Sequence, residues 1–273
     1  MKWRVIYNTK LGSAENMAID EAIMISVGEG KSLPAIRFYD WNPATVSCGF
    51  NQAVEKEIDF EEIKKKSYGF VRRPTGGRVV LHKDEVTYAV ITPSIDRFEG
   101  GITATYSEIS KALGKGLAKL GVPIEFEKGD LTVTEQRLNA NPCFTSTSRY
   151  ELKCLGKKIV GSAQVRKGEM LLQHGSILLN QNQEEVAWLV PGLETEKKEK
   201  LARFLARKTI SINQAQSKQI SFDEAVRALT DGFMEQWKED EFFVNGELTE
   251  YELHLVKELT VTKYANNSWN FRK

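Results

Sequence analysis

The chain has 273 residues, with 38 Lys and Arg against 37 Asp and Glu for a net charge of +1, and 41% of it is hydrophobic. That balance excludes the basic surplus of a nucleic-acid binder and the low-hydrophobicity, high-charge signature of a disordered chain. No run of about 18 apolar residues is present to span a bilayer, and the apolar start from Met1 to Tyr7 reaches Asn8-Thr9-Lys10 too early for a secretory signal. The expectation is therefore a folded cytoplasmic protein of one large or two modest domains.

In chain order, a helix is expected over Ala14–Val27, which opens after Ser13 and closes at Gly28. Ala35–Tyr39 and Thr45–Phe50 are β-prone and flank the turn signal Trp41-Asn42-Pro43, so they read as neighbouring strands. Asp59 is placed to cap a short helix ending at Lys66. Gly69–Arg73 and Val79–His82 flank a Pro/Gly loop, and Val86–Ile91 is a further strand. Apolar residues at 109, 112, 113, 117 and 120 give Tyr106–Leu120 a helical period, ended by Gly121-Val122-Pro123. Residues 129–148 are rich in Thr, Asn and Ser and read as loop. Tyr150–Leu155 alternates like a strand, Gly156-Lys157 supplies a turn and Lys158–Gly161 returns, a hairpin pattern. Met170–Leu179 adds β character. From Glu184 helix formers dominate, with helices at Phe222–Lys238 and Thr249–Lys263, so the tail reads as all-helical.

Three segments have the residue types of a chemical site. Arg72-Arg73-Pro74-Thr75-Gly76-Gly77-Arg78, followed by His82, pairs arginines with a Gly-Gly turn. Glycines let a backbone approach a ligand with its N–H groups exposed, and arginines grip carboxylate or phosphate; a plain hairpin turn with solvated charges fits the same pattern. Cys143 sits in the irregular Asn141–Ser148 stretch, whereas Cys48 and Cys154 fall in apolar strand phases and read as core. A reactive thiol needs a neighbouring cation or base, and Lys158, His82 and His174 are the candidates. Lys158 precedes the small residues Gly161-Ser162-Ala163, which leave room for a substrate, although periodicity alone favours a solvated hairpin lysine beside a β-bulge. His82, His174 and His254 lack metal-ligand spacing, so no metal is expected.

Taken together, these segments resemble the lipoate-protein ligase and octanoyltransferase family. The resemblance is carried by Asn16-Met17-Ala18-Ile19-Asp20-Glu21-Ala22, Arg37-Phe38-Tyr39 with Trp41–Thr45, and Arg72 through His82. It continues in Gly156–Gln164, Gln173-His174-Gly175-Ser176-Ile177, and Lys263-Tyr264-Ala265 with Trp269-Asn270. Within the family the chain is most similar to Gram-positive octanoyltransferases, whose Pro-Cys-Phe triplet precedes a family lysine by fifteen residues, as Cys143 precedes Lys158 here.

The resemblance implies an α+β fold, a mainly antiparallel sheet packed with helices, with a catalytic domain over 1–182 and a helical extension over 183–273. It implies that Cys143 accepts the acyl group as a thioester and that Lys158 assists it. Arg72, Arg73, Thr75, Gly76, Gly77, Arg78, His82, Gly161, Ser162, Ala163 and His174 would bind substrate, and Val79 and Leu81 would wall an acyl tunnel. It implies octanoyl-acyl carrier protein as donor and a lipoyl-domain protein such as the glycine-cleavage H protein as acceptor. No cofactor, nucleic acid or membrane is implied, and a monomer is expected.

ATP-dependent ligases of the fold show Arg-Arg-x-Ser-Gly-Gly-Gly followed by His-Asp-x-Gly-Asn. This chain has Thr75, Arg78 and His82-Lys83-Asp84-Glu85 in those places, which argues against adenylate formation. An ATP-dependent ligase, an amidotransferase between lipoyl domains and a non-catalytic lipoyl-binding module are the alternatives. Docking of acidic carriers would fall to local patches, Lys64-Lys65-Lys66 or Lys197-Lys198 with Lys200.

Overall fold

A computed structural model describes residues 1–128, 150–181 and 183–272. The elements run β1 Lys2–Leu11, α1 Ser13–Gly28, β2 Ala35–Trp41, β3 Thr45–Cys48, α2 Val54–Glu57, α3 Phe60–Lys65, β4 Gly69–Arg72, β5 Val80–His82, β6 Glu85–Pro93 and α4 Ile102–Lys119. Next come β7 Ile124–Lys128, β8 Tyr150–Cys154, β9 Lys157–Lys158, β10 Val160–Lys167, β11 Met170–Leu178 and α5 Thr195–Lys208. The chain then forms α6 Ile212–Ala215, α7 Phe222–Gln236, β12 Glu241–Val244, α8 Glu250–Leu259 and α9 Asn267–Asn270.

A six-stranded sheet in the order β10-β11-β6-β2-β1-β12 forms the central layer. Its first three pairings are antiparallel, while β1 runs parallel to both β2 and β12. Strand alternation sends successive side chains to opposite faces. Ile36, Phe38, Val86, Tyr88 and Val90 meet α4 and α7 on one face. Ala35, Tyr39, Ala89, Ile91 and Leu172 meet α1 and α8 on the other. Helix α1, packed between sheet and α8, is buried through most of its length, which explains why its apolar residues surround it rather than forming one stripe. Two three-stranded sheets, β4-β3-β5 and β7-β8-β9, flank this body. The fold is α+β with mainly antiparallel pairing, as expected.

Several local expectations are corrected. β2 and β3 are not neighbours: the chain leaves the large sheet after Trp41, and β3 pairs with β4 and β5 instead. The turn after β8 is Leu155-Gly156, both with positive φ (52° and 69°), the requirement of a two-residue type I′ connection. β9 ends at Lys158, and β10 passes into the large sheet against β11, so Lys158 and Val160 belong to different sheets. Nor is the tail all-helical, because β12 extends the large sheet beside β1.

That strand is held by contacts far apart in sequence. Trp3 stacks on Trp237 at 4.9 Å between ring centroids. Asp240 accepts hydrogen bonds from the Met1 ammonium, Trp3 Nε1 and Arg97. Arg4 forks onto the Glu252 carboxylate of α8 at 2.8 and 2.6 Å, a bidentate pair favoured by the planar guanidinium.

Candidate active site

A cleft opens where β10 and β11 of the large sheet face the β4-β3-β5 sheet. Gly161, Ser162 and Ala163 of β10 face His174, Gly175 and Ser176 of β11 along one side. Ser47, Val80 and His82 come from the small sheet, Arg73 from the loop that follows β4, and Met17, Tyr39, Trp41 and Thr87 close the remainder. Gly175 cannot be larger, since a Cβ there would lie 2.5 Å from the Gly161 carbonyl oxygen. Strand alternation corrects the expected tunnel walls. Val80 lines the cleft, while Val79 and Leu81 turn away into a core shared with Leu205 of α5.

Two imidazoles reach the cleft, each held between a hydroxyl and a carboxylate. His174 Nε2 meets Thr75 Oγ1 at 2.7 Å, and its Nδ1 meets Asp20 Oδ2 at 3.1 Å. Asp20 also pairs with Arg37 at 2.8 Å and accepts from the Tyr39 hydroxyl at 2.9 Å. Burial pushes the His174 pKa down, outweighing the pull of Asp20, so the ring is neutral at physiological pH. Burial alone would raise the Asp20 pKa, but the His174 hydrogen bond and the Arg37 charge outweigh it and hold the carboxyl below its ordinary value.

A carboxyl whose folded pKa is depressed contributes stability that is fully present above its unfolded value of about 3.9 and is lost as pH falls through the folded value. Asp20→Asn is therefore expected to flatten the acid limb of stability against pH in urea titrations. An unchanged acid limb would show that the ionised carboxylate adds nothing.

The second imidazole, His82, has Ser47 Oγ 2.8 Å from Nε2 and Glu85 Oε1 2.7 Å from Nδ1. Trp41 stacks on the ring at 4.4 Å and anchors its indole N–H on Thr87. Thr87 and Ser176 both donate to Glu85.

Of the residues expected at substrate, Arg73, His82, Gly161, Ser162, Ala163 and His174 line the cleft. Thr75 reaches it through His174. Arg73 donates to the Gly76 and Arg78 carbonyl oxygens and to Ser47, so it shapes the Gly76-Gly77-Arg78 loop as well as facing the cleft. That loop lies so close to Gly49 that a Cβ there would sit 2.0 Å from the Gly77 oxygen, and Gly77 itself has φ +95°, a glycine conformation.

Arg72 is placed differently from expectation. Fully buried, it donates to the backbone carbonyls of Gly49, Phe50, Gln52, Trp269, Asn270 and Arg272 and is absent from the cleft lining. Lys158 is 6% exposed, and its carbonyl accepts from the Ile210 N–H at 3.1 Å. A solvated hairpin lysine is thereby excluded. Cys143 lies outside the described residues, as does the loop expected over 129–148 apart from its boundaries with β7 and β8. Cys48 and Cys154 are buried, and burial pushes the Cys48 thiol up to about 11 and the Cys154 thiol above its ordinary value, so both are inert core thiols.

Sequence reasoning missed Ser47, Tyr39 and Trp41 as lining residues and gave the carboxylates Asp20 and Glu85 no role. The available signals were slight. Ser47 alternates with Val46 and Cys48, Asp20 interrupts an apolar helix, and Glu85 follows His82 by three positions.

Residues 13–234 match the model of the lipoyl protein ligase A/B catalytic domain. Among curated relatives, the octanoyltransferase LipM of Kyrpidia tusciae is 40% identical over 275 residues, covering 99% of each chain. That of Brevibacillus brevis is 38% identical over 276 residues, covering 100% of this chain and 99% of the relative. A lipoate-protein ligase A bound with ATP superposes with a TM-score of 0.79 at 25% identity, covering 99% of both chains. The bi-partite lipoate protein ligase of Thermoplasma acidophilum shares the fold with a TM-score of 0.81 at 24% identity, covering 99% and 96%.

Proposed function

Because the chain belongs to the lipoyl protein ligase A/B catalytic-domain family, we propose that its cleft holds an octanoyl chain passed from acyl carrier protein, through a thioester on Cys143, to a lysine of a lipoyl-domain protein such as the glycine-cleavage H protein. The chain is an acyltransferase, a protein octanoyltransferase of lipoate biosynthesis, and the observation that carries this is the near-40% identity to octanoyltransferases over the full length of both chains. The route through Cys143 and Lys158 is our reading, supported by their fifteen-residue spacing and by the inert state of the other two cysteines.

In the first half-reaction the Cys143 thiolate attacks the octanoyl thioester carbonyl. A new S–C bond forms, the bond to the phosphopantetheine sulfur breaks, and the thiolate so released takes a proton from the Lys158 ammonium and leaves as the thiol. The Lys158 ammonium stabilises the attacking thiolate and the oxyanion that develops. In the second, the acceptor lysine gives a proton to the now neutral Lys158 and attacks the enzyme thioester; the amide C–N bond forms, the bond to the Cys143 sulfur breaks, and the amine's second proton is released as the thiolate and the Lys158 ammonium are restored. Exchange between thioesters is nearly balanced in energy and thioester to amide runs downhill, so no ATP is needed.

Incubation with octanoyl-acyl carrier protein and no ATP is expected to add one octanoyl group by intact mass, labile to hydroxylamine and absent from Cys143→Ser. An adduct that survives in the variant, or none on the wild type, would sink the thioester route. Lipoylation of the H protein from free lipoate and ATP would instead support a ligase, against which Thr75, Arg78 and the missing Gly-Asn already argue.

A further inference from the structure

Positive charge is unevenly distributed over this molecule. Lys65 and Lys66 pair with Glu62 and Glu185, and Lys197, Lys198 and Lys200 pair with Glu194, Asp59 and Glu196. The two patches expected to receive an acidic carrier therefore present little uncompensated charge. A third cluster differs. The segments 152–168 and 203–222 contain no Asp or Glu, and the fold lays them side by side where α5 ends against β9.

Lys158 and Thr209 form a parallel bridge there, and the Ile210 N–H donates to the Lys158 carbonyl at 3.1 Å. One step back along both chains, Lys157 of β9 lies beside Lys208, the last residue of α5, with Arg207 next to it. Arg207 and Lys208 are exposed and Lys157 is half-buried. Among the described residues none of the three enters an ion pair, and Lys208 rests on the Phe204 ring, 5.8 Å from its centroid. Lys153, in register with Lys158, stands opposite Glu125 on β7 and is not counted in this excess. Cations in a last helical turn complement the helix dipole. That accounts for Arg207 and Lys208, but not for Lys157, which arrives beside them from a separate sheet.

We infer that Lys157, Arg207 and Lys208 form the docking surface for the acidic face of octanoyl-acyl carrier protein. The inference rests on the octanoyl-transfer reading given above and says where the donor of that reaction binds.

Geometry favours the donor over the acceptor. An acyl carrier presents its thioester on a long phosphopantetheine arm, so its folded surface rests beside the reacting atoms rather than on them. An exposed patch adjoining the buried Lys158 suits such a partner, and Gly161 of the cleft follows Lys157 by four residues, at most about 14 Å of chain. A lipoyl-domain lysine reaches only the length of its own side chain, and its domain has to cover the position of Lys158 itself. The planar Arg207 guanidinium also suits a carboxylate or the phosphodiester at the root of the arm.

The test compares two donors of the same thioester, octanoyl-acyl carrier protein and octanoyl-pantetheine, which lacks the acidic protein. A variant with Lys157→Gln, Arg207→Glu and Lys208→Glu is expected to be acylated by the carrier protein at least about tenfold more slowly at low ionic strength and subsaturating donor, within the range of electrostatic steering. Added salt is expected to narrow that difference. With octanoyl-pantetheine the variant and the wild type are expected to react equally, and both acyl-enzymes are expected to pass octanoyl to the glycine-cleavage H protein at one rate. Undiminished acylation by the carrier protein at low salt overturns the inference. Equal slowing with both donors, the sign of a disturbed Lys158, overturns it too, as does slowing confined to the H-protein step, which would give the patch to the acceptor. A wild type that forms no acyl-enzyme with either donor overturns the octanoyl-transfer reading itself, an outcome visible before any variant is made.

Discussion

Arg72→Met is expected to lower folding stability by about 3–5 kcal/mol, the range for breaking a buried, fully hydrogen-bonded charge. The guanidinium has no exposed surface, and among the described residues its compensation comes from six carbonyl dipoles. Methionine fills much of the volume but leaves those oxygens buried without donors. Two of them, at Gly49 and Phe50, sit directly beneath the Gly76-Gly77 loop, whose Thr75 carbonyl receives the Phe50 N–H at 2.8 Å. Arg72→Lys keeps the charge and loses the fork, so an intermediate loss is expected. Denaturant titration at neutral pH measures both; a loss below about 1 kcal/mol for methionine would mean that the carbonyls find water or new donors.

The second large effect concerns the chemistry. Lys158→Ala is expected to slow acyl-enzyme formation by about 10²–10³-fold, the cost of removing one oriented donor to a developing oxyanion. Burial of an ammonium is unfavourable by itself, and Lys158 is nearly enclosed where the chain passes from one sheet to another beside Thr209. A hairpin lysine kept only for solubility would not occupy such a place. Rapid-quench measurement of the octanoyl adduct reads the effect directly, with a thermal melt alongside to separate it from unfolding. An adduct formed at the wild-type rate would remove Lys158 from the mechanism.

Much of this was legible beforehand, for reasons that are local. The helical period of α4, the start and stop signals of α1, the alternation of β8 and the β-prone apolar runs of β6 and β11 are written within each segment, as are the core positions of Cys48 and Cys154. The arginine and Gly-Gly loop was legible as a motif, yet Arg72 and Arg73 take opposite roles, because Arg72 is satisfied by backbone carbonyls that no side-chain pattern reveals. β12 was hidden for a related reason: four residues beside Lys238-Glu239-Asp240 become a strand only through parallel pairing with β1, about 240 positions away. The two carboxylates behind the histidines were equally inconspicuous, since an Asp in a helix or a Glu after a turn is ordinarily solvated.

The cradle around Arg72 has a bearing on the order in which the molecule matures. Three of its carbonyls lie 197, 198 and 200 positions downstream of the arginine. During synthesis every residue lining the cleft is made well before Trp269, Asn270 and Arg272. Until these arrive, a cation waits in a cavity that cannot yet neutralise it. Docking of α9 onto β4 therefore closes the cradle through contacts of high sequence separation, the kind that form slowly.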